Sequence, residues 1–252
     1  MTTKLKTKPK KKVSSPLDEI HGKQRVILKN INPQVDHNQF PVKRSIGEPI
    51  EVTASIFSDS HDLLRAFVRY RKVGGRQWKE VAMTSYMNDH WAATFTPDSL
   101  GFYEFTVYGH VDHYASWQHG LSKKHEAGQD LSVEMLIGAE MLETIAKNCE
   151  GNDQHRLYDI ANRFRNTFDT DGAVATATSE DTLALVTKHY DRNNATHYPT
   201  TISVEVERKK ALFSTWYEFF PRSTSRERGK HGTFQTSIDI LPRIAEMGFD
   251  VL

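Results

Sequence analysis

Residues 50–56 read IEVTASI, in which Ile50, Val52, Ala54 and Ile56 alternate with Glu51, Thr53 and Ser55. Successive side chains of a strand point to opposite faces, so this spacing predicts a strand with one buried face. The pattern spreads outward. Leu64, Ala66, Val68 and Tyr70 repeat the alternation, with Arg65, Arg69 and Arg71 on the other face. Gly74-Gly75 marks a hairpin into a strand around Trp78–Met83. Asn88-Asp89 turns the chain into Trp91, Ala93 and Phe95, and residues 97–101 turn it again into Tyr103, Phe105, Val107 and Val111. Short alternating strands at regular turn spacing, from Arg25 to about Asp112, predict an antiparallel β-sandwich of immunoglobulin-like size.

Near Ser116 the period changes to 3.6. Leu131, Met135, Leu136, Ala139, Leu142, Ala146 and Cys149 fall on one side of a helix. Gly151-Asn152 breaks it, and Leu157, Ile160, Ala161, Phe164 and Phe168 form a second amphipathic stripe. Thr178 and Asp181 read as a capping box ahead of Leu183, Val186 and Tyr190. Three helices joined by short polar loops make a small bundle. Ile202, Val204 and Val206 alternate again, as a strand returning to the sandwich, so the helices are an insertion into a β domain.

The last stretch has a different grammar. ALFSTWYEFF (Ala211–Phe220) is a β-rich run ended by Pro221-Arg222. After a polar loop, a helix is expected from about Phe234 to Met247, with Phe234, Ile238, Leu241 and Ala245 on one face. Pro242 should kink it and Gly248 should close it. Phe249–Leu252 begins another apolar strand. Strand, helix, strand is a βαβ unit, which needs a parallel sheet. The expectation is therefore the front part of a longer polypeptide.

Composition bounds the function. The 252 residues are 38% hydrophobic and 10% aromatic, enough for a core and against wholesale disorder. No apolar run approaches the roughly 18 residues of a membrane span. Lys plus Arg number 33 against 32 Asp plus Glu, a balance that excludes a dedicated nucleic-acid binder. Six lysines stand in residues 1–12, so the basic excess belongs to the tail, read as a solvated, disordered like-charge block and not a secretory signal. A lone cysteine, Cys149, rules out an intrachain disulfide and points to a reducing compartment.

Few side chains carry a chemical signature. His125-Glu126 lacks the second histidine of a zinc helix, since position 129 is Gln, and no metal site is expected. His110 and His113 read as surface histidines, and Cys149 as a buried thiol. Trp78, Trp91, Tyr114 and Trp117 have the chemistry to stack on sugar rings. Trp91 falls on the inward face and reads as core. Tyr114 and Trp117 lie at the strand-to-helix junction and stand as candidates for an interface or a sugar contact.

WYEFFPRS (Trp216–Ser223), HGTF (His231–Phe234) and LPRIAEMGFDVL (Leu241–Leu252) resemble the start of a glucan-active (β/α)8 barrel. Together with RVILKNINPQVD (Arg25–Asp36), FPVKRSIGEPI (Phe40–Ile50) and ASWQHGLSKKHEAGQDL (Ala115–Leu131), they resemble the bacterial α-1,4-glucan:maltose-1-phosphate maltosyltransferases, a branch of glycoside hydrolase family 13. The resemblance implies a multidomain α+β enzyme: an N-terminal immunoglobulin-like β-sandwich with an inserted helical bundle, then a catalytic (β/α)8 barrel and a C-terminal β domain. Mapped here, residues 1–24 are a basic tail and 25–114 the sandwich. Residues 115–200 are the helical insertion, 201–210 its returning strand, and 211–252 the barrel's first βαβ unit, with Trp216, Tyr217 and Glu218 packing in its first strand.

The lone cysteine and the lack of a metal-ligand pattern lead to the expectation of a cytoplasmic protein without cofactor or metal, and the resemblance adds an activity. The enzyme moves a maltosyl unit from maltose 1-phosphate to the non-reducing end of an α-1,4-glucan with retention. Retention takes two carboxyl groups about 5–5.5 Å apart. The family draws them from later barrel strands, so no residue here is assigned as catalytic. Homodimers through the sandwich and insertion are also implied, with Tyr114–Trp117 and the Met135–Cys149 helix as candidate surface. Two alternatives stay open: another glucan-processing family 13 enzyme, or a non-catalytic glucan-binding or assembly module.

Overall fold

The computed structural model describes residues 24–252 apart from 167, 191 and 193. But for Gln24, the basic tail expected over residues 1–24 lies outside the described residues. The described chain is a mixed α+β structure with two sheets and a block of helices.

Ten strands are described, in chain order: β1 (Val26–Asn32), β2 (Val42–Ser45), β3 (Ile50–Ser58), β4 (Leu64–Lys72), β5 (Lys79–Ala82), β6 (Thr84–Ser85), β7 (His90–Phe95), β8 (Gly101–Val111), β9 (Thr196–His197) and β10 (Ile202–Glu207). One sheet runs β1-β3-β7-β6, the other β2-β10-β8-β4-β5, with β9 beside β8. All pairings are antiparallel except β10 with β2.

The IEVTASI alternation is realised on β3, where Ile50, Val52, Ala54 and Ile56 are buried. They share one apolar cluster with Val68 of β4, Phe105 and Val107 of β8, and Ile202 and Val204 of β10. Both sheets thus contribute to a single core, each fully buried Val or Ile worth about 1.5–3 kcal/mol. Trp91 sits in it as expected, its indole N–H donating to the Ile56 carbonyl at 3.0 Å. The turns follow their residues. Asn88 and Asp89 hold φ of 58° and 57°, and the Gly75 N–H closes the β4–β5 hairpin on the Lys72 carbonyl at 2.9 Å.

Between β8 and β10, which pair with each other, lie five helices: α1 (His113–Glu126), α2 (Ser132–Ala146), α3 (Asn152–Arg165), α4 (Thr170–Thr178) and α5 (Glu180–Lys188). The helical block thus lies in sequence between two strands that pair with each other. It holds five helices where three were expected. The face of α1 is only Tyr114, Trp117 and Leu121, and α4 (TDGAVATAT) buries Ala173, Val174 and Ala177, so neither shows a stripe of large apolar residues. The stripe of α3 ends at Phe164, and Phe168 lies beyond the helix, exposed. The cap of α5 is one residue later than expected. Ser179 accepts the Thr182 N–H at 3.2 Å, while Thr178 still belongs to α4 and donates to the Val174 carbonyl.

The last segment departs furthest from expectation. Residues 211–220 form no ladder: a 3₁₀ turn covers Lys209–Ala211, and a single parallel bridge joins Trp216 to Val251. The Tyr217 N–H donates to the Val251 carbonyl at 2.9 Å and the Asp250 N–H to the Thr215 carbonyl at 3.0 Å. Strand backbone needs neighbours to take its hydrogen bonds, and here each run has only the other. The expected helix is two short ones, α6 (Phe234–Ile238) and α7 (Leu241–Glu246), parted just before Pro242. Gly248 follows with φ 81°. Phe234, Ile238, Leu241 and Ala245 remain exposed, and Ile244 is the residue that buries.

Candidate functional site

The candidate site lies where β8 passes into α1. Asp112, almost fully buried, caps α1 by accepting the Ala115 N–H at 2.9 Å and forms an ion pair with Arg65 of β4. Tyr190, just past α5, folds back here. Its hydroxyl donates to the Val111 carbonyl at 2.5 Å and its ring stacks on His110 at 4.3 Å between centroids. His110 is consequently 4% exposed, which corrects its reading as a surface histidine; His113 is exposed. Burial lowers the His110 pKa below the ordinary imidazole value.

A cavity of about 460 Å³ opens beside this junction, between β1, the end of β8 and the outer side of α2. Val26, Tyr114, Ile137, Met141 and Tyr190 give it apolar walls, with Arg25 and Glu140 at polar positions. The Arg25 guanidinium donates to Asp59 at 2.9 Å and Asp62 at 3.0 Å. Next to the cavity, Val133, Leu136 and Ile137 leave an exposed apolar stripe on α2.

The two candidate contact residues lie inward. Tyr114 is 1% and Trp117 7% exposed, both within the helical core. The Tyr114 hydroxyl donates to the Ala177 carbonyl at 3.1 Å, and burial drives its pKa far upward. The Trp117 indole N–H donates to the Glu134 carbonyl at 3.0 Å, its ring lying against Gly138. Tyr114 reaches the cavity wall, and Trp117 is engaged within the bundle. Cys149 is a buried thiol whose Sγ–H donates to the Ile145 carbonyl, its pKa pushed up by burial.

Across the outer face of the second sheet runs a stack of cations and rings that sequence alternation did not disclose. The Arg71 and Arg69 guanidinium groups lie 4.3 and 5.4 Å from the Trp78 ring centre, and that of Arg192 lies 5.3 Å from Phe67. Trp78 is thus held by arginines. Tyr108, in the same stack, has its hydroxyl pKa pushed up to about 12 by burial. In the last segment Trp216 is 70% exposed, and the Arg222 side chain lies against His231. Among the described residues no group of three or more His, Cys, Asp or Glu is placed to hold a metal ion, and no helix is long and apolar enough to cross a membrane.

Two sheets around one core, interrupted by a helical insertion whose return strand closes back on β8, define a β module with an inserted helical block. The sequence model described as alpha-1,4-glucan:maltose-1-phosphate maltosyltransferase, domain N/S, matches residues 24–208, and the chain belongs to that family. Among its relatives are three proteins named alpha-1,4-glucan:maltose-1-phosphate maltosyltransferase. That of Chlorobaculum tepidum is 43% identical over 231 residues, covering 92% of this chain and 34% of the relative. That of Methylacidiphilum infernorum is 37% identical, covering 92% and 35%. That of Myxococcus xanthus is 34% identical, covering 90% and 35%. The chain spans about a third of the length of these relatives. An alignment of 231 residues cannot end at residue 208, so the likeness continues into the last segment.

Proposed function

We propose that this chain is the sandwich, helical insertion and opening barrel unit of a transferase that moves maltosyl units from maltose 1-phosphate to the non-reducing ends of α-1,4-glucans, in a reducing interior such as the cytoplasm. The observation that carries the reading is the family match across residues 24–208. It is supported by relatives that bear the maltosyltransferase name and extend their likeness past that span.

The two sheets correspond to an immunoglobulin-like sandwich and α1–α5 to its insertion. The parallel Trp216–Val251 bridge has the direction of neighbouring strands in a (β/α)8 barrel. The retaining carboxylate pair belongs to later barrel strands, so these residues supply scaffold and assembly surface and leave the chemistry to other parts of the enzyme. The exposed Val133, Leu136 and Ile137 stripe is the surface proposed for self-association into a homodimer.

The test is reconstitution. This chain, incubated with maltose 1-phosphate and maltohexaose, should release no phosphate above background. Co-expressed with the remaining two thirds of the Chlorobaculum tepidum relative, it should release phosphate and lengthen the acceptor by two glucose units. Turnover by the chain alone would place the active site within these residues. No turnover in the combination, together with calorimetric binding of maltoheptaose, would favour a glucan-binding module instead.

A further inference from the structure

The polar loop between Pro221 and Gly232 is the most cationic stretch of the described chain that lacks acidic partners. It carries Arg222, Arg226, Arg228 and Lys230 against one acid, Glu227. Glu227 is taken by Lys230, and the three arginines have no ion pair among the described residues. The two ends of the loop are drawn together. The Gly232 N–H donates to the Arg222 carbonyl at 2.8 Å, and a side-chain carbon at Gly232 would come within 2.2 Å of the Pro221 carbonyl oxygen, so only glycine permits the approach. The Thr224 hydroxyl donates to that same Pro221 oxygen at 2.7 Å.

This closure sets the Arg222 guanidinium against the His231 imidazole, Nε 3.1 Å from Nδ1 and Nη2 2.8 Å from Nε2. A guanidinium has only donors, and a neutral imidazole has one acceptor nitrogen and one N–H. At most one of the two contacts is a hydrogen bond, and the other sets donor against donor. Both side chains are exposed, so their remaining donors face solvent and are open to an anionic acceptor. A tetrahedral dianion supplies it: two oxygens for the guanidinium fork, one for the imidazole N–H, and charge to balance the unpaired arginines. A neutral glucan could not balance that charge.

We propose that the Pro221–Gly232 loop is a phosphate-binding loop, in which Arg222 and His231 jointly take the oxygens of a phosphate group and Arg226 and Arg228 supply the surrounding field. The same chemistry serves inorganic phosphate and the phosphate of a sugar phosphate. The choice of maltose 1-phosphate as the second probe rests on the maltosyltransferase reading, whereas phosphate binding itself does not.

Titration calorimetry of the 252-residue chain tests this, with inorganic phosphate, maltose 1-phosphate and maltose as separate titrants. Saturable binding of phosphate is expected, with none of maltose. Arg222→Ala should weaken it about tenfold or more, the loss of a charge-assisted bidentate contact. His231→Ala should weaken it less. Lys72→Ala, in the β4–β5 hairpin, should leave it unchanged. Maltose 1-phosphate binding more tightly than phosphate would assign the site to a sugar phosphate, and equal binding to the free anion. No binding of either anion, or equal weakening by Arg222→Ala and Lys72→Ala, would overturn the proposal. Failure of the reconstitution assay with phosphate binding intact would count against the enzyme reading alone.

Discussion

Residues 211–252 match residues 24–210 in their share of Val, Ile and Leu and exceed them in aromatic side chains, yet the two regions use these residues in opposite ways. In the first, Ile50, Val68, Phe105 and Leu142 are fully buried, because paired strands share one apolar cluster and the helices share another. In the second, Phe213, Trp216, Phe220 and Phe234 stay exposed and Ile244 alone among the large apolar residues is buried. Local propensity is comparable; the number of neighbours is not. An apolar strand or helix is stabilised by the surface it can cover, and the last segment has only its own two ends to pair.

The sharpest way to break this contrast is truncation of matched side chains. Phe105→Ala, in the shared core of both sheets, should cost about 3–5 kcal/mol by urea unfolding. Phe234→Ala should stay within about 0.5 kcal/mol. A comparable loss at Phe234 would mean that the last segment is packed after all.

Within the first region, two helix glycines sharpen the comparison further. A side-chain carbon at Gly138 would lie 2.2 Å from the Trp117 ring, while one at Gly120 meets nothing within 4 Å. Gly138→Ala should destabilise by about 1–3 kcal/mol. Gly120→Ala should be stabilising by about 0.5–1 kcal/mol, from helix propensity. Thermal melts of the pair give the difference with opposite signs.

A smaller effect comes from His110. Burial lowers its pKa in the folded chain, so the unfolded chain binds the proton more readily. Stability should therefore fall as pH drops through the ordinary value of 6.5, and be regained above it. The Val111 carbonyl and Asp112 moderate the shift, while Arg192 and Arg65 add to it. His110→Phe, which keeps a ring against Tyr190, should flatten the slope of unfolding free energy between about pH 5.5 and 7.5, a window set about the histidine value.

Much of this organisation is legible from residue spacing. The alternation in residues 50–56 is plain because one face of β3 meets a continuous core while the other does not. The strand at Ile202–Glu207 was readable too, since the alternation resumes at Ile202 after the helices. Three features were not. The faces of α1 and α4 are built from few or small residues and leave no strong 3.6-residue signal. His110 is buried by Tyr190, far along the chain, and no local pattern encodes that cover. The Arg222–His231 pair depends on loop closure through Gly232, which spacing alone does not disclose. For the last segment, apolar content announced strands that a single bridge cannot sustain.

Hydrogen–deuterium exchange across the whole chain tests the contrast most directly. Amides of β3, β4 and β8 should exchange only through global opening, on the order of 5–15 kcal/mol, while those of residues 211–252 exchange through local opening at a small fraction of that cost. Protection in residues 211–252 equal to that of β3 would contradict the account, because it would show a packed second core where the structure has one bridge and an exposed apolar face.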